Sequence, residues 1–398
     1  MSKKQDLEFY LVGIGNHSKP VVDNEVLLLI KNTKIFSGGK RHYELVKSIL
    51  PKNHTWIEIS GRMDHVLLKY SENTKPILIF VSGDPFFFGF GNTLKKYIPE
   101  AEIKAFPYFN SIQRLCQKTA TNYNLLRSVS VHGRDWTALD EALIKNEALI
   151  GVLTDTKKTP AVIAARLLQY GFENYEITVG EELDGDFEKI NTYSLKVCKL
   201  LKFQNLNSVL LVRKFSKNSS FGLPDSEFVS LPNRANMITK MPVRLSTLSA
   251  LQLDTNAVFW DIGACTGSVS IEAKKHFPRT VIIAFEKRAE CAEIIQKNKE
   301  QFSTPGIKVV IDDFFNLNLS NFPTPDVVFI GGHGNRLKEM IHKVYQINPS
   351  VKFVINAVKE LTSSIFINEL TKLDYSLNST CIQVNEHNKI LIHAAVKN

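Results

Sequence analysis

The chain has 398 residues, a hydrophobic fraction of 44%, and 49 lysines and arginines against 40 aspartates and glutamates, which gives a net charge of +9. This length suits two or three domains of about 150 residues, and the composition excludes a disordered, collagen-like or fibrous chain. The longest purely aliphatic run, Val26 to Ile30, is far shorter than the roughly 18 residues of a membrane span, and the polar first ten residues predict no secretory signal.

The cysteines indicate the cellular compartment, and the net charge indicates which kinds of partner the chain can attract. The five cysteines form an odd set without a C-x-x-C pair, so they are expected to be reduced thiols of a cytoplasmic protein rather than disulfides or a zinc site. A positive balance attracts polyanions, among them nucleic acids, anionic membranes and small molecules with many carboxylates, although it also fits good solubility alone. There is no block of like charges of the kind that forms a nucleic-acid-binding tail.

Hydrophobic periodicity predicts alternating strands and helices in the first half of the chain. The predicted strands are 8–14, 77–82, 102–106, 128–132 and 148–154. The predicted helices are 22–31, 87–97, 111–120, 136–145 and 160–170. After residue 170 the strand-like segments 176–179, 193–198 and 209–213 have no long helix between them, which indicates antiparallel pairing.

The polar, turn-rich stretch 215–222 is predicted to be a linker, and beyond it the alternation restarts. The predicted strands are 257–262, 281–285, 308–311, 327–330 and 353–356, followed by a hairpin of 375–384 and 389–396. The predicted helices are 268–276, 289–301, 337–346 and 363–373. We therefore expect an α/β protein with domains 1–214 and 222–398, the second a doubly wound, Rossmann-like sheet.

The sharpest motif of the second half is the turn Trp260-Asp-Ile-Gly-Ala-Cys-Thr-Gly-Ser268 between a strand and a helix. Its glycines allow backbone N–H groups to approach a ligand. The spacing differs from the dinucleotide-binding G-x-G-x-x-G turn and is that of S-adenosylmethionine (SAM) methyltransferases. Cys265 takes the place of the usual middle glycine, and its Cβ is expected to fit if its φ is negative. The predicted SAM contacts of this turn are Asp261, Gly263, Ala264, Cys265, Thr266 and Gly267.

Two later strand ends complete this predicted site. Glu286 is expected to accept hydrogen bonds from both ribose hydroxyls, and Asp313 to bind the adenine amino group beside the Phe314 backbone. Each acid has the alternative of being a solvated loop carboxylate. His333, within Gly331-Gly-His-Gly334, is either a proton carrier or substrate donor, or a surface histidine.

Residues 237–244 precede a further helix, with Pro242 in its first turn. Thr239 is a candidate helix cap and a candidate SAM contact. Lys240 or Arg244 is a candidate partner of a substrate carboxylate, and the alternative is an ordinary helix start.

The first half carries glycine turns after several strands. Gly83-Asp84-Pro85 is the most specific, because glycine permits close backbone approach, Asp84 can orient loop amides and Pro85 fixes the turn, yet such a turn alone is common. His132 and Arg134 are candidates for a SAM or substrate pocket. Alternatively, Arg134 pairs with Asp135 or Asp140 on the surface.

Both halves resemble known families. Residues 7–213, through Gly83-Asp84-Pro85 with the following aromatics and Phe106-Pro-x-x-Asn-Ser111, resemble the tetrapyrrole methylase family, in which SAM lies in a cleft between two α/β subdomains. That family usually has P-G-x-[ST]-S where this chain has Pro107-Tyr-Phe-Asn-Ser111, which favours Ser111 over Asn110 as a SAM contact. Arg41-His42 and His132-Gly-Arg134 narrow the likeness to the branch that acts on a late precorrin.

Residues 222–398 resemble the decarboxylating precorrin methyltransferases of the corrin (vitamin B12) pathway, through Ile238-Thr-Lys, Arg244, residues 260–273 and Gly331-Gly-x-Gly334.

The resemblance implies SAM-dependent methylation of a tetrapyrrole at two meso carbons, with decarboxylation of an acetate side chain. It implies one SAM per domain, no metal, a precorrin substrate, no nucleic-acid or membrane partner, and a homo-oligomer. The implied catalytic residues are His132, Lys240, Arg244 and His333, and the implied SAM contacts of the first half are Gly83, Asp84, Pro85 and Ser111. Two alternatives stay open: an RNA or DNA methyltransferase, disfavoured by the lack of a base-flipping Asn-Pro-Pro-Tyr motif, and a non-catalytic nucleotide sensor.

Overall fold

Two compact units make up the fold. The computed structural model describes residues 7–216, 221–232, 234, 237–386 and 388–398. The first unit consists of Met1–Arg134, Ala148–Ala165 and Tyr175–Lys214, and the second of Asp135–Glu147, Arg166–Asn174 and Phe215–Asn398. That residues 1–214 and 222–398 are separate domains stays a prediction, and residues 217–220 of the predicted linker lie outside the described residues.

The first unit begins with a five-stranded parallel sheet in the order β3-β2-β4-β1-β5. Its strands are β1 (Glu8–Ile14), β2 (Ile35–Gly38), β3 (Thr55–Glu58), β4 (Ile77–Ser82) and β5 (Glu102–Phe106). The helices between them are α1 (Asn24–Asn32), α2 (Lys40–Val46), α3 (Met63–Ser71) and α4 (Phe90–Tyr97). The central strand β4 is buried from Ile77 to Val81 and ends at the exposed Ser82, so it delivers a polar residue to the carboxyl edge of the sheet.

A second, mixed sheet follows in the order β6-β7-β10-β8-β9, in which only β6 and β7 are parallel. Its strands are β6 (Leu126–Ser130), β7 (Leu149–Leu153), β8 (Tyr175–Glu181), β9 (Lys189–Tyr193) and β10 (Asn207–Arg213). The helices of this part of the chain are α5 (Ser111–Lys118), α6 (Thr137–Ile144), α7 (Pro160–Gln169) and α8 (Leu195–Cys198).

The structure confirms the antiparallel pairing predicted after residue 170 and the two α/β subdomains. One strand was placed wrongly: segment 193–198 holds only the end of β9 and then the short helix α8. The Ser194 side chain accepts a hydrogen bond from the Val197 N–H and caps that helix, which is a local preference of serine that a count of apolar residues does not include.

A seven-stranded sheet forms the second unit, in the order β13-β12-β11-β14-β15-β17-β16. Its strands are β11 (Val258–Ile262), β12 (Val281–Glu286), β13 (Lys308–Ile311), β14 (Val327–Ile330), β15 (Lys352–Ala357), β16 (Tyr375–Ile382) and β17 (Ile390–Lys397). The helices of this part of the chain are α9 (Met241–Leu251), α10 (Ser268–His276), α11 (Cys291–Gln301), α12 (Leu337–Ile347) and α13 (Glu360–Lys372), and α6 also belongs to the second unit.

The strands β11 to β15 are parallel. From β11 the chain adds β12 and β13 on one side of the sheet and then β14 and β15 on the other, as the predicted doubly wound fold requires. The predicted hairpin, β16 and β17, extends the same sheet, because β17 pairs antiparallel with β15. Within the described part of the chain, every helix is too short or too polar to span a bilayer.

Candidate functional site

A cleft of about 790 Å³ lies at the carboxyl ends of the parallel strands of the second unit. The loops that follow β11, β12, β13 and β14 form its walls, at the point where open α/β sheets bind small molecules. Most of the residues predicted for this half meet there. They are Thr239, Lys240, Asp261, Gly263, Ala264, Cys265, Thr266, Glu286, Asp313, Phe314 and His333.

The glycine turn after β11 is shaped by close backbone approach. Gly263 has a φ of +80°, and a Cβ at this position would lie 2.5 Å from the Gly332 nitrogen. The N–H groups of Gly331 and Gly332 both donate to the Ile262 carbonyl, so the two glycine loops press against each other. Gly267 has a φ of +75° immediately before α10 but does not line the cleft, so its role is to turn the chain into the helix.

Cys265 does not meet the condition under which its Cβ was expected to fit. Its φ is +53°, in the left-handed region that favours glycine, rather than negative. Its N–H donates to Glu286 Oε2 over 2.9 Å, and its Sγ lies 3.1 Å from the Met237 carbonyl oxygen. A residue with a side chain therefore occupies a backbone conformation that glycine adopts most readily.

Two buried oxygens at this turn have no hydrogen-bond partner among the described residues: Asp261 Oδ1 and Thr266 Oγ1. The other Asp261 oxygen accepts from the N–H and the hydroxyl of Ser270. Burial raises the pKa of Asp261 to about 6, although the Ser270 hydrogen bonds act in the opposite direction. Unsatisfied buried oxygens are costly, so this wall fits a ligand that brings donors or positive charge, as the amino group of SAM does.

Glu286, which is 3% exposed, is held by Arg288. Its Oε1 accepts from the Arg288 N–H and Nε, and its Oε2 accepts from Arg288 Nη2 and the Cys265 N–H. Burial acts to raise the pKa of Glu286, but these hydrogen bonds outweigh it and the pKa is lowered. Because a carboxylate offers about four acceptor positions, ribose hydroxyls can bind Glu286 only where Arg288 releases it.

The far wall of the cleft holds Asp313, Phe314 and His333. Asp313 Oδ1 accepts from the Phe315 N–H over 2.9 Å, and the Phe314 side chain is buried beside it. His333 Nδ1 is a buried nitrogen without a partner among the described residues. Burial, and then the charge of Lys359, lower the pKa of His333, so its imidazole is neutral near pH 7 and able to accept or donate one hydrogen bond to a ligand.

The start of α9 corrects two expectations. Arg244 is 0% exposed and does not line the cleft: its Nε donates to Glu272 Oε2 over 2.9 Å and its Nη1 to the Thr239 carbonyl over 2.7 Å. It therefore cannot meet a substrate carboxylate, and it fixes the backbone of Thr239 instead. The helix cap is Lys240 rather than Thr239, without a side-chain capping bond, and Lys240 lines the cleft.

A second cleft, of about 540 Å³, lies within the first unit. Gly83, Ser111, His132 and Arg134 line it, as predicted. Asp84 and Pro85 do not. The Asp84 carboxylate accepts from the Phe86 N–H over 2.8 Å, so it orients a loop amide as expected rather than touching the cleft.

His132 and Arg134 both line the cleft of the first unit. His132 Nδ1 lies 2.8 Å from the Thr154 carbonyl oxygen, and because a carbonyl only accepts, Nδ1 carries the proton and Nε2 is left as the acceptor nitrogen. The Arg134 guanidinium lies 5.4 Å from the centre of the Phe88 ring. The alternative pairing with Asp140 does not occur, since Asp140 binds Arg166.

Comparison with known proteins places this geometry in a family. Residues 233–390 match the family described as the precorrin methyltransferase domain. A Sinorhizobium protein named precorrin-6Y C(5,15)-methyltransferase [decarboxylating] is 29% identical over 379 residues, which cover 92% of this chain and 88% of the relative.

Two shorter relatives also match. A Salmonella typhimurium cobalt-precorrin-7 C(5)-methyltransferase is 24% identical over 182 residues, 46% of this chain and 88% of the relative. A Sulfolobus acidocaldarius protein named "Probable cobalt-precorrin-6B C(15)-methyltransferase (decarboxylating)" is 30% identical over 156 residues, 39% of this chain and 80% of the relative. The chain belongs to the precorrin methyltransferase family. None of these three relatives is named as a nucleic-acid methyltransferase, so the RNA methyltransferase alternative gains no support.

Several cleft residues of this precorrin methyltransferase carried no predicted role in the sequence. In the first unit, Asn16 follows the end of β1 by two residues, Ser82 is the last residue of β4, and Arg114 lies on α5 in an ion pair with the buried Asp184. In the second, Arg288 follows Glu286 by two residues. Asn16, Ser82 and Arg288 could have been found by taking every polar residue at the end of a strand or just after it, whereas Arg114 lies within a helix and gives no such signal.

Proposed function

We propose that this precorrin methyltransferase methylates one late precorrin twice, at two meso carbons, and removes carbon dioxide from an acetate side chain, as precorrin-6Y C5,15-methyltransferase (decarboxylating). The observation that carries the proposal is the presence of two clefts, one within each unit, each built at the glycine-rich ends of strands. One SAM would bind in each cleft. The similarity to a relative named for both methylations extends over 92% of the chain.

For methyl transfer, the main task of the protein is to align SAM with the precorrin. SAM, when bound, supplies a methyl group that a carbon of the macrocycle attacks. The macrocycle is itself the nucleophile, so no serine or cysteine nucleophile is needed, and the gain in rate comes from holding the reacting atoms in line. In the second unit, Asp261 and Thr266 would satisfy the donors of SAM, Glu286 would bind its ribose, and Asp313 its adenine.

We assign the methylation with decarboxylation to the second unit. Lys240, on the cleft wall, would bind a carboxylate of the precorrin through a charge-assisted hydrogen bond. The neutral His333 would hold or pass one proton at Nδ1. The electrons released by decarboxylation enter the conjugated ring, so this step requires binding of the carboxylate and exclusion of competing water rather than a covalent intermediate.

The other methylation would take place in the first unit. There Gly83 and Ser111 would contact SAM, and Arg134 would bind a precorrin carboxylate. His132 is suited to take up the proton that the methylated carbon loses, because Nε2 is its acceptor nitrogen. The existence of separate relatives named for C(5) and for C(15) methylation supports a division of the two activities between two sites.

The remaining proposals concern the cellular compartment, the oligomeric state and the partners of the enzyme. We place the enzyme in the cytoplasm, where its five cysteines, described as free thiols, would stay reduced. We also propose a homo-oligomer, in which exposed apolar side chains of the first unit, such as Phe187 at 84% and Leu200 at 78% exposure, would be available as contact residues. Nucleic acid and membranes are not proposed as partners.

The test is mass spectrometry of a late precorrin incubated with the purified chain and SAM. The expected product has gained two methyl groups and lost one carbon dioxide. Asp261→Asn should remove one methylation together with decarboxylation, and His132→Gln should reduce the other methylation alone. An unchanged precorrin, with methyl groups transferred to RNA instead, would refute the proposal.

A further inference from the structure

A chain of hydrogen bonds connects Glu182 to Ser82 beside the first-unit cleft, and Arg41 donates in both directions along it. Glu182 Oε2 accepts from Asn16 Nδ2 over 2.9 Å, and Asn16 Oδ1 accepts from Arg41 Nη1 over 2.8 Å. Arg41 Nη2 then donates to Ser82 Oγ over 2.6 Å. A carboxylate only accepts and a guanidinium only donates, so the orientation of the Asn16 amide and the direction of every bond are determined.

A second donor reaches the same serine. The Gly39 N–H donates to His42 Nδ1 over 3.2 Å, so the imidazole proton is on Nε2, which lies 2.9 Å from Ser82 Oγ. Burial, and then the charge of Arg41, lower the pKa of His42 to about 4, so the ring is neutral and carries only that proton near pH 7. His42 is therefore a donor to Ser82 and not an acceptor.

The Ser82 hydroxyl is left with one role. A hydroxyl has two lone pairs and one proton, and both lone pairs are engaged by Arg41 and His42. Its proton must point to a third group, and Ser82 is an exposed residue at the carboxyl end of β4 that lines the cleft. The position is thus a donor aimed at a ligand.

The charge beside Ser82 indicates which acceptor fits. Within the described residues Arg41 makes no ion pair, its hydrogen-bond partners Asn16 and Ser82 are both neutral, and the charge of Glu182 acts on it from beyond Asn16. Its guanidinium, which is bonded to Ser82, still adds a favourable charge for an anion bound there. A carboxylate accepts the Ser82 proton and also benefits from the nearby guanidinium, whereas a ring N–H of a tetrapyrrole could do neither.

We infer that Ser82, oriented by Arg41 and His42, is the hydrogen-bond donor of a carboxylate subsite in the cleft of the first unit. The inference rests on the proposed function, which supplies two sources of carboxylate: the side chains of the precorrin and the methionine moiety of SAM. Ser82 is a binding residue, while Arg41 and His42 are positioning residues that act through it.

The experiment uses the full chain with Ser82→Ala, Ser82→Thr and the matched control Ser71→Ala. Ser71 lies on α3 of the same unit, outside the cleft, and its hydroxyl donates to the Leu68 carbonyl. The dissociation constant of SAM is measured by calorimetry, and KM and kcat of first-unit methylation are measured with precorrin as the varied substrate. Thermal unfolding of each variant verifies that it is folded.

We expect Ser82→Ala to weaken binding of one carboxylate source about tenfold, because a hydrogen bond to a charged group contributes roughly 1.5 kcal/mol or more. A rise in KM for precorrin with nearly unchanged kcat assigns the subsite to the substrate, and a weaker SAM affinity assigns it to SAM. Ser82→Thr, which keeps the hydroxyl, should restore most of the loss, and Ser71→Ala should match the wild type.

Two results would overturn the inference: Ser82→Ala leaving both affinities unchanged, or a folded Ser82→Thr as impaired as Ser82→Ala. Failure of the proposed function looks different. A wild-type chain that binds SAM and leaves precorrin unmethylated refutes the function, and the SAM affinity of Ser82→Ala then decides the subsite by itself, with no change counting against it.

Discussion

Cys265 is a side chain at a position whose backbone suits glycine. With φ at +53°, its Cβ is placed in the left-handed region, which costs roughly 1–2 kcal/mol, whereas glycine in exchange loses about 0.5–1 kcal/mol of conformational entropy on folding. We expect Cys265→Gly to change the free energy of unfolding by less than about 1 kcal/mol and to keep SAM binding. The β-branched Cys265→Val should destabilise the second unit and weaken SAM binding. Urea unfolding and SAM calorimetry check this, and a glycine variant less stable than the valine variant would contradict it.

The raised pKa of Asp261 predicts a pH dependence. Burial moves the pKa of Asp261 from its ordinary value of 3.8 to about 6. Between these two pH values the folded chain keeps a proton that the unfolded chain loses, so the free energy of unfolding of the ligand-free chain falls as the pH rises from about 4 to about 6. A cationic ligand favours the ionised form. SAM affinity of the second unit should therefore increase several-fold from about pH 5 to about pH 7.

Calorimetry across this pH range, on the chain and on Asp261→Asn, tests the assignment. The asparagine variant should bind SAM more weakly in the second unit and without this pH step. An equal pH step in the asparagine variant would show that another group titrates.

At the residue scale, the sequence located the second site because acids follow consecutive strands. It could not show that Arg244 is buried against Glu272, since that pairing depends on how α9 packs on α10. Nor could it show the role of Ser82, because the direction of its hydrogen bonds depends on the tautomer of His42 and on distances that only the folded chain defines.

The loop between β4 and α4 requires glycine at Gly83 for two reasons. Its φ is +62°, and an added Cβ would lie 2.9 Å from the Asn110 Cα, at the start of α5. Gly61 is a matched control, because its φ is +70° but nothing lies within 4 Å of an added Cβ. Gly83→Ala should destabilise the first unit more than Gly61→Ala, and it should reduce first-unit methylation while second-unit methylation persists.

Thermal unfolding and product masses of the two alanine variants measure these effects. Equal destabilisation by both would mean that φ alone matters and that Asn110 moves aside. Normal double methylation by Gly83→Ala would refute a role for this loop in the first site.

At the element scale, apolar runs next to a clear turn signal were predictable, and elements without such a signal were not. The strand 77–82 and the helix 268–276 have the predicted bounds, because a buried apolar run defines the first and a glycine turn begins the second. The elements β2, α2, β3 and α3 were missed. The strands β2 and β3 have four residues each, too few to show a period, and their pairing with β4 and β2 is what stabilises them.

At the scale of the whole molecule, the sequence suggested a cut at the linker, but the second unit also contains Asp135–Glu147 and Arg166–Asn174. These two segments contain an ion pair whose aspartate is buried. Asp140, which is 2% exposed, accepts from Arg166 Nε over 2.8 Å and from Nη2 over 2.6 Å. Such a pair is distant in sequence from the rest of the unit, so no local pattern reveals it.

Asp140 also bears on Lys274, a buried lysine of α10. Burial lowers the pKa of Lys274 to about 8, and the charge of Asp140 is the largest influence that opposes this shift. Asp140→Asn in the full chain should lower the free energy of unfolding by about 3 kcal/mol, because it removes the ion-pair partner of Arg166 and the largest favourable charge near the buried Lys274. Asp374→Asn is the control: this exposed aspartate has a 3.7 Å pair with Lys397 and an exposed 3.0 Å hydrogen bond from Asn398 Nδ2, and the substitution should cost less than about 0.5 kcal/mol.

The same reasoning predicts how a truncated chain behaves. A fragment of residues 222–398 contains the whole seven-stranded sheet and should fold and bind SAM, but it lacks Asp140 and Arg166. The thermal midpoint of the fragment should therefore lie below that of the second unit in the full chain. The substitution Lys274→Met removes the uncompensated charge, so it should raise the midpoint of the fragment. In the full chain the same substitution should lower the midpoint or leave it unchanged. Unfolding followed by the fluorescence of Trp260, the one tryptophan of the fragment, reports this sheet. Equal midpoints for fragment and full chain, with no gain from Lys274→Met, would show that the helical segments 135–147 and 166–174 contribute nothing to the stability of the second unit.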